Sequence, residues 1–308
     1  MRNAIIAALA GAVCLCLWLW LSGGFEQIAV WAAGEQREFQ NGIARTLRAL
    51  RGGDAGAYSV LLSSCFAYGF FHAIGPGHGK MLVGGYGVAR DVAMLRLSVI
   101  ALFSSLGQAV TAIVVAYGGL WLLGATRDRM VGAAENWLAP VSYGMIAMIG
   151  LWLVLRGGRR LRAAKRVLSQ DSTVLDPHTH SYGEDDVCST CGHRHGPSLE
   201  EAGQVTGLRE ALMLIGGIAM RPCTGALFVL IITWQMGIPV AGIAGAFSMA
   251  LGTASVTVAV GIAASGFRGG LLRAMAGAGA LTWVMPMLEV LAGLVVVALS
   301  TGLVLRAL

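Results

Sequence analysis

Charge is scarce in this sequence. Only 12% of its 308 residues are Asp, Glu, Lys or Arg, against 56% hydrophobic ones, whereas a soluble domain carries about a quarter charged residues. That excludes a single water-soluble core, because no core of this length hides so much apolar surface; hydrocarbon is the solvent such a chain requires. A disulfide framework is lacking too. Cys14, Cys16, Cys65 and Cys223 lie in apolar segments, where a thiol is a small buried hydrophobe, and Cys188 and Cys191 stand apart in a polar stretch. Acid is missing where base is densest: Arg156, Arg159, Arg160, Arg162, Lys165 and Arg166 follow an apolar segment with no Asp or Glu among them. The formal charge of +6 is therefore a topology signal, and nucleic acid is not an expected partner.

What is abundant fits a bilayer. The 44 glycines are small residues that let membrane helices approach closely. Seven segments are long and apolar enough to cross as helices: 4–25, 57–79, 97–123, 137–155, 211–236, 238–263 and 280–304. The expected fold is all-α and polytopic, about seven transmembrane helices in a bacterial-type inner membrane, the first an uncleaved anchor. Residues 26–54 mix charges with Ile43, Leu47 and Leu50 and read as an amphipathic connector, resting on the membrane surface or on the protein.

The chain also repeats itself. Pro76-Gly77-His78-Gly79 resembles Pro222-Cys223-Thr224-Gly225. About thirty residues later Leu106-Gly107-Gln108-Ala109 matches Leu251-Gly252-Thr253-Ala254, and Gly150-Leu151 matches Gly293-Leu294. The charges put the N-terminus inside, so the two matching units run in opposite directions, an arrangement common in secondary transporters. The domain plan is residues 1–56 as anchor and connector, 57–155 as a first three-helix repeat, 156–208 as a cytoplasmic loop, and 209–308 as a second three-helix repeat.

Three groups of residues carry chemistry. The first is His72-Ala-Ile-Gly-Pro-Gly-His78-Gly-Lys80. On an ideal helix two residues six apart are rotated by about 240° and face different ways. Gly75-Pro76-Gly77 removes that constraint, since proline breaks the ladder and glycine permits unusual backbone angles. A break here brings both imidazoles toward one point, as a metal or proton pathway needs; the competing reading is a kinked helix with two core histidines. Lys80 reads as snorkelling to the interface, or as a charge that gates the site.

The second group is the polar stretch 167–208, read as lacking helix and strand. His178 and His180, then Cys188, Cys191, His193 and His195, supply enough ligands for a closed tetrahedral site. Such a set takes several divalent metals, zinc included, and does not choose among them. The third group is Arg221 beside Pro222 and Glu289 near Pro286, charges inside spans that need pairing or a wet cavity. Both read as salt-bridge members between the repeats, or Glu289 as a proton acceptor. Gln108, Thr111, Thr253, Ser255 and Thr257 read as interhelical glue.

At His72 and Pro76-Gly77-His78-Gly79-Lys80, with the His/Cys loop at 178–195 and Arg221-Pro222-Cys223, the chain resembles the NicO family of nickel/cobalt permeases over most of residues 57–305. The resemblance implies nickel or cobalt as cargo, the lipid bilayer as surroundings, no enzymatic activity and no resident cofactor. It also implies His72 and His78 as pathway ligands. Gly77 stands where related uptake permeases carry an acid, which leans the reading to efflux. The rival is a thiol–disulfide electron conduit of the CcdA-like type using Cys65 and Cys223. It expects a cysteine beside proline in each half, but Cys65 precedes Pro76 by eleven residues, roughly 16 Å of helix.

The basic cluster predicts that loop 156–208 faces the cytoplasm. A cysteine placed at Ser169, with native thiols removed, should stay unlabelled by a membrane-impermeant maleimide in intact cells and react after permeabilisation. Rapid labelling from outside reverses the orientation.

Overall fold

The computed structural model describes residues 21–54, 56–74, 78–90, 92–124, 126–170, 199–274 and 281–307, with Gly11 and Trp18. Every regular element among them is helical. Helix α1 spans Gly24–Arg51, α2 Ala57–Ile74, α3 His78–Ala89, α4 Met94–Leu123 and α5 Arg127–Ala133. A π turn at Ala134–Leu138 leads into α6 at Ala139–Gln170, followed by α7 Leu199–Ala219, α8 Thr224–Gln235, α9 Pro239–Ala274 and α10 Leu281–Ala307. Helices covering Ala57–Ile74, Met94–Leu122, Asp128–Ala163, Pro239–Arg273 and Trp283–Leu305 are each long and apolar enough to cross a membrane. Leu208–Ala219 with Thr224–Gln235 makes a sixth crossing, bent by 58°. The chain is a multi-pass membrane protein. Val99, Phe103, Val110, Val114 and Trp121 leave one apolar face of α4 exposed, a face that suits lipid and not water. The expected first span at 4–25 lies outside the described residues apart from its last few.

The connector is one long helix lying on the protein. Ala32, Ile43 and Leu47 of α1 are buried, while Arg37, Glu38, Asn41, Arg45 and Arg48 point outward. The recurrence of apolar residues at three- and four-residue intervals is that of an amphipathic helix. Gly53, at φ +86°, and an Asp54 carboxylate accepting from Gly56 N–H at 2.9 Å turn the chain into α2. The two helices run antiparallel, with Phe71 between Trp31 and Phe39 at ring distances of 5.4 and 5.5 Å. A face so charged cannot lie in hydrocarbon, so water borders this hairpin on the α1 side.

The helical bounds differ from expectation around the central loop. α6 continues through the basic cluster to Gln170, and α7 already begins at Leu199. Both extensions are rich in Leu, Ala, Glu and Arg, good helix formers that a reading by hydropathy passes over. The donors His178, His180, Cys188, Cys191, His193 and His195 lie between them, outside the described residues.

The residues matched between the two halves sit at matched crossings. Side-chain atoms added at Gly69 or Gly252 would overlap the backbone of the opposite helix, at Met249 of α9 and Phe66 of α2 respectively. A methyl on Gly107 of α4 would fall 2.6 Å from the Ala219 Cβ of α7. Gly150 of α6 and Gly293 of α10 face one another, a Cβ at Gly293 falling 2.7 Å from the Gly150 carbonyl oxygen. The matched pair Gln108 and Thr253 behave alike. Gln108 Nε2 donates to the Ile218 carbonyl at 3.2 Å, and Thr253 Oγ1 to the Gly69 carbonyl at 3.2 Å. Those two are interhelical as expected. Thr111, Ser255 and Thr257 bond back within their own helices instead, because a hydroxyl reaches its own preceding turn without help from a neighbour.

Gly252→Val should therefore destabilise the protein by at least about 2 kcal/mol through overpacking. Gly266→Ala, with nothing within 4 Å of its Cβ, should be neutral or slightly stabilising. Thermal melting of the two variants in detergent micelles checks the contrast.

Candidate functional site

The two helix interruptions border one cavity of about 200 Å³. His72 and Ala73 reach it from the last turn of α2 and Lys80 from the first turn of α3. Arg221, Pro222, Cys223 and Thr224 come from the second interruption, Ser104, Ser105 and Gln108 from α4, and Thr253 and Thr257 from α9. The second interruption has a local cause. Pro222 brings no N–H and cannot extend α7, and Cys223, at φ −70° and ψ 124°, restarts the chain as the N-cap of α8.

The cavity brings several predicted residues together. His72 is in it, its Nδ1 3.2 Å from Gln36 Oε1 of α1. Lys80 is in it too, not snorkelled to the interface, because α3 starts at His78 and holds Lys80 in its first turn beside the break. The Arg221 guanidinium lies 4.9 Å from the centre of the Tyr143 ring and donates to that hydroxyl. His78 is the first residue of α3; its side chain lies outside the described set. Cys223 lines the cavity, whereas Cys65 is fully buried, packed under Gly245 of α9. Ser104, unremarked in the sequence, is buried on the cavity wall, and its hydroxyl has no hydrogen-bond partner among the described residues. A buried hydroxyl left open toward a cavity is what a ligand or water would pair.

Glu289 is elsewhere. It belongs to a layer of ion pairs in which, among the described residues, Arg90, Arg156 and Arg160 of the first half meet Glu210 and Glu289 of the second. Arg90, at the end of α3, holds both oxygens of Glu210 on α7 at 3.0 and 3.2 Å, and Tyr86 donates to the same carboxylate at 2.6 Å. Arg156 of α6 bridges the two acids, 3.8 Å from Glu210 and 3.3 Å from Glu289 of α10. Arg160 adds a contact to Glu289 at 3.4 Å. Trp152 lies between Arg90 and Arg156, its ring centre 5.4 and 5.2 Å from their guanidinium carbons. Glu289 is thus paired across the halves, but with the basic cluster and not with Arg221. Glu210 was not singled out in the sequence, since an acid two residues past the polar stretch 167–208 reads as loop.

The described donors are an imidazole, a thiol, hydroxyls and carbonyls. Among the described residues no three His, Cys, Asp or Glu side chains group to hold a metal ion, and no carboxylate lines the cavity. Such a set can strip part of the water from a borderline metal ion and hold it loosely; it is no closed cage.

A family model for NicO, described as a high-affinity nickel-transport protein, matches residues 58–183 and 168–308. The chain belongs to the NicO family. A protein of Haemophilus influenzae (strain ATCC 51907 / DSM 11121 / KW20 / Rd), named provisionally as a nickel/cobalt efflux system, is 29% identical over 255 residues. The match covers 81% of this chain and 76% of the relative. No solved structure matches. The family resemblance carried by His72–Lys80 and Arg221–Cys223 is borne out, and this family's described activity is nickel transport, not catalysis.

Removing one partner of the ion-pair layer should be costly where the partner is buried. Glu289→Leu, at a fully buried position, leaves Arg156 with Glu210 alone and Arg160 without its carboxylate, and should cost about 3 kcal/mol. Arg160→Ala, whose side chain is 53% exposed, should cost less than about 1 kcal/mol. Melting temperatures in micelles separate the two.

Proposed function

We propose that this protein is a secondary transporter carrying nickel or cobalt ions outward across a bacterial inner membrane, through the cavity between its two interrupted helices. The observation that carries the reading is that cavity: in a NicO chain, His72 meets the Arg221-Pro222-Cys223 interruption there. Holding a divalent ion in hydrocarbon is prohibitive unless donors replace its water. His72, joined by His78, supplies the nitrogen donors, and helix-end carbonyls with the Ser104 hydroxyl supply oxygens. The outward direction rests on the leaning at Gly77 and on the name of the Haemophilus relative.

The same proposal takes the chain as two inverted three-helix units behind an N-terminal anchor, seven crossings in all. The first unit is α2 with α3, then α4, then α6. The second is α7 with α8, then α9, then α10. The paired crossings at Gly107 and Gly252, and at Gly150 and Gly293, support that equivalence. The loop donors His178, His180, Cys188, Cys191, His193 and His195 act as a cytoplasmic collector, which holds nickel, cobalt or zinc and raises its concentration at the inner mouth. Glu210 and Glu289 hold the halves together on that side. The redox rival finds no support: Cys65 is packed away from the cavity that Cys223 borders.

His72→Ala and His78→Ala should each abolish nickel and cobalt flux in vesicles while leaving insertion intact, and Cys65→Ser should transport as the parent does. Replacing all six loop donors should raise the metal concentration needed for half-maximal flux without stopping it. Full flux in the His72/His78 double variant defeats the reading.

A further inference from the structure

An imidazole binds a metal ion through the nitrogen that carries no proton, and the partner of the other nitrogen decides which one that is. For His72 that partner is Gln36, on a helix outside the proposed repeats. Gln36 Oε1 lies 3.2 Å from His72 Nδ1, while the other end of the same amide, Nε2, donates to the Tyr68 hydroxyl at 3.1 Å. An amide oxygen only accepts hydrogen bonds. With the amide in this orientation Nδ1 carries the proton, leaving the lone pair on Nε2.

The amide is held from both sides. Tyr68 is buried, at 2% exposure, and its ring lies within 5° of parallel to that of His72, 6.0 Å away. Its hydroxyl packs against Gly225 in the first turn of α8, where any side chain would collide with it. α1 in turn is fixed on α2 through Phe39 and Phe71 and through buried Ile43 and Leu47. The Gln36 amide thus links the apolar contact between α1 and α2 to the cavity imidazole.

We propose that Gln36 is a positioning residue for the cargo: it fixes His72 with the proton on Nδ1 and the lone pair of Nε2 ready for a borderline divalent ion. This rests on the reading of His72 as a ligand. Partners of this kind typically change metal affinity by about 10- to 100-fold when removed. The class of side chain matters more than its size. A carboxylate at position 36 accepts the same proton and lets the Tyr68 hydroxyl donate to it; an alkyl group does neither.

The test uses the full chain with its six loop donors replaced, so that His72 and His78 are the remaining imidazoles. Long-range proton–nitrogen correlation spectra of histidine-labelled protein in micelles, without metal, report the tautomer directly. His72→Ala assigns the signal. The parent and Gln36→Glu should show Nδ1 protonated, and Gln36→Leu a mixture of tautomers. Nickel and cobalt binding followed by calorimetry should weaken at least about tenfold in Gln36→Leu and hold near the parent value in Gln36→Glu. If Gln36→Leu keeps the parent tautomer and affinity while His72→Ala loses binding, the inference is overturned and the ligand reading stands. Equal loss in Gln36→Glu and Gln36→Leu, with the tautomer unmoved, also overturns it, leaving a packing role. If His72→Ala binds and transports as the parent does, the ligand reading falls and takes the inference with it.

Discussion

Two interrupted helices are the constraint on which the rest of this structure depends. Backbone that leaves the helical ladder at membrane depth exposes amides and carbonyls that lipid cannot satisfy, so it must be covered by protein or by a wet cavity. The chain uses both. α4 crosses α7 at Gly107, beside the second break, and α9 crosses α2 at Gly252, while Gln108 and Thr253 reach the Ile218 and Gly69 carbonyls. Only glycine allows the approach at Gly252, where the opposing atoms are backbone and cannot move aside. The space left between is the cavity. Its polar lining follows from the same requirement, because the groups that cap interrupted helices are the groups that can meet an ion.

The ion-pair layer sets how the halves can move. Arg90, Arg156 and Arg160 come from α3 and α6, Glu210 and Glu289 from α7 and α10, so these pairs join the two halves. Motion that separates the halves at this level must break the pairs together, since Arg156 serves both acids. Such a layer favours one closed register over sliding alternatives. Its burial makes a half-broken state expensive, which sharpens the choice between closed and open.

Much of this was legible beforehand because it depends on chemistry that has few uses. Gly75-Pro76-Gly77 favoured an interrupted helix over a kinked one with core histidines, and Arg221 beside Pro222 needed pairing or a wet cavity. The short matches at Gly107/Gly252 and Gly150/Gly293 marked crossings because close packing demands the same small residue in both halves. Gln36 was not legible. On an amphipathic helix rich in Glu and Arg, one more polar residue reads as part of the solvated face, and only the antiparallel docking on α2 turns it toward His72. Glu210 escaped for the same reason, a charged residue near a polar stretch. Of the two readings of Lys80, snorkelling assumes a continuous helix, whereas the restart at His78 puts the side chain on the cavity wall.

The charge of the cavity is the remaining constraint, and it opposes the cargo. Lys80 and Arg221 line the space, and among the described residues no Asp or Glu lines it with them. A site meant to hold a dication tightly would be built the other way, with acids at the centre. A carrier has the opposite need. It must lose its ion on each cycle, and hard-won affinity at the midpoint would slow release. On the proposed reading, a borderline donor such as the His72 imidazole would give directional bonding to nickel or cobalt, while nearby cations would shorten the residence time and disfavour hard ions held by charge alone. The Arg221 guanidinium is itself drawn aside onto Tyr143, so on that reading a positioned imidazole lone pair, and not net charge, would select the ion.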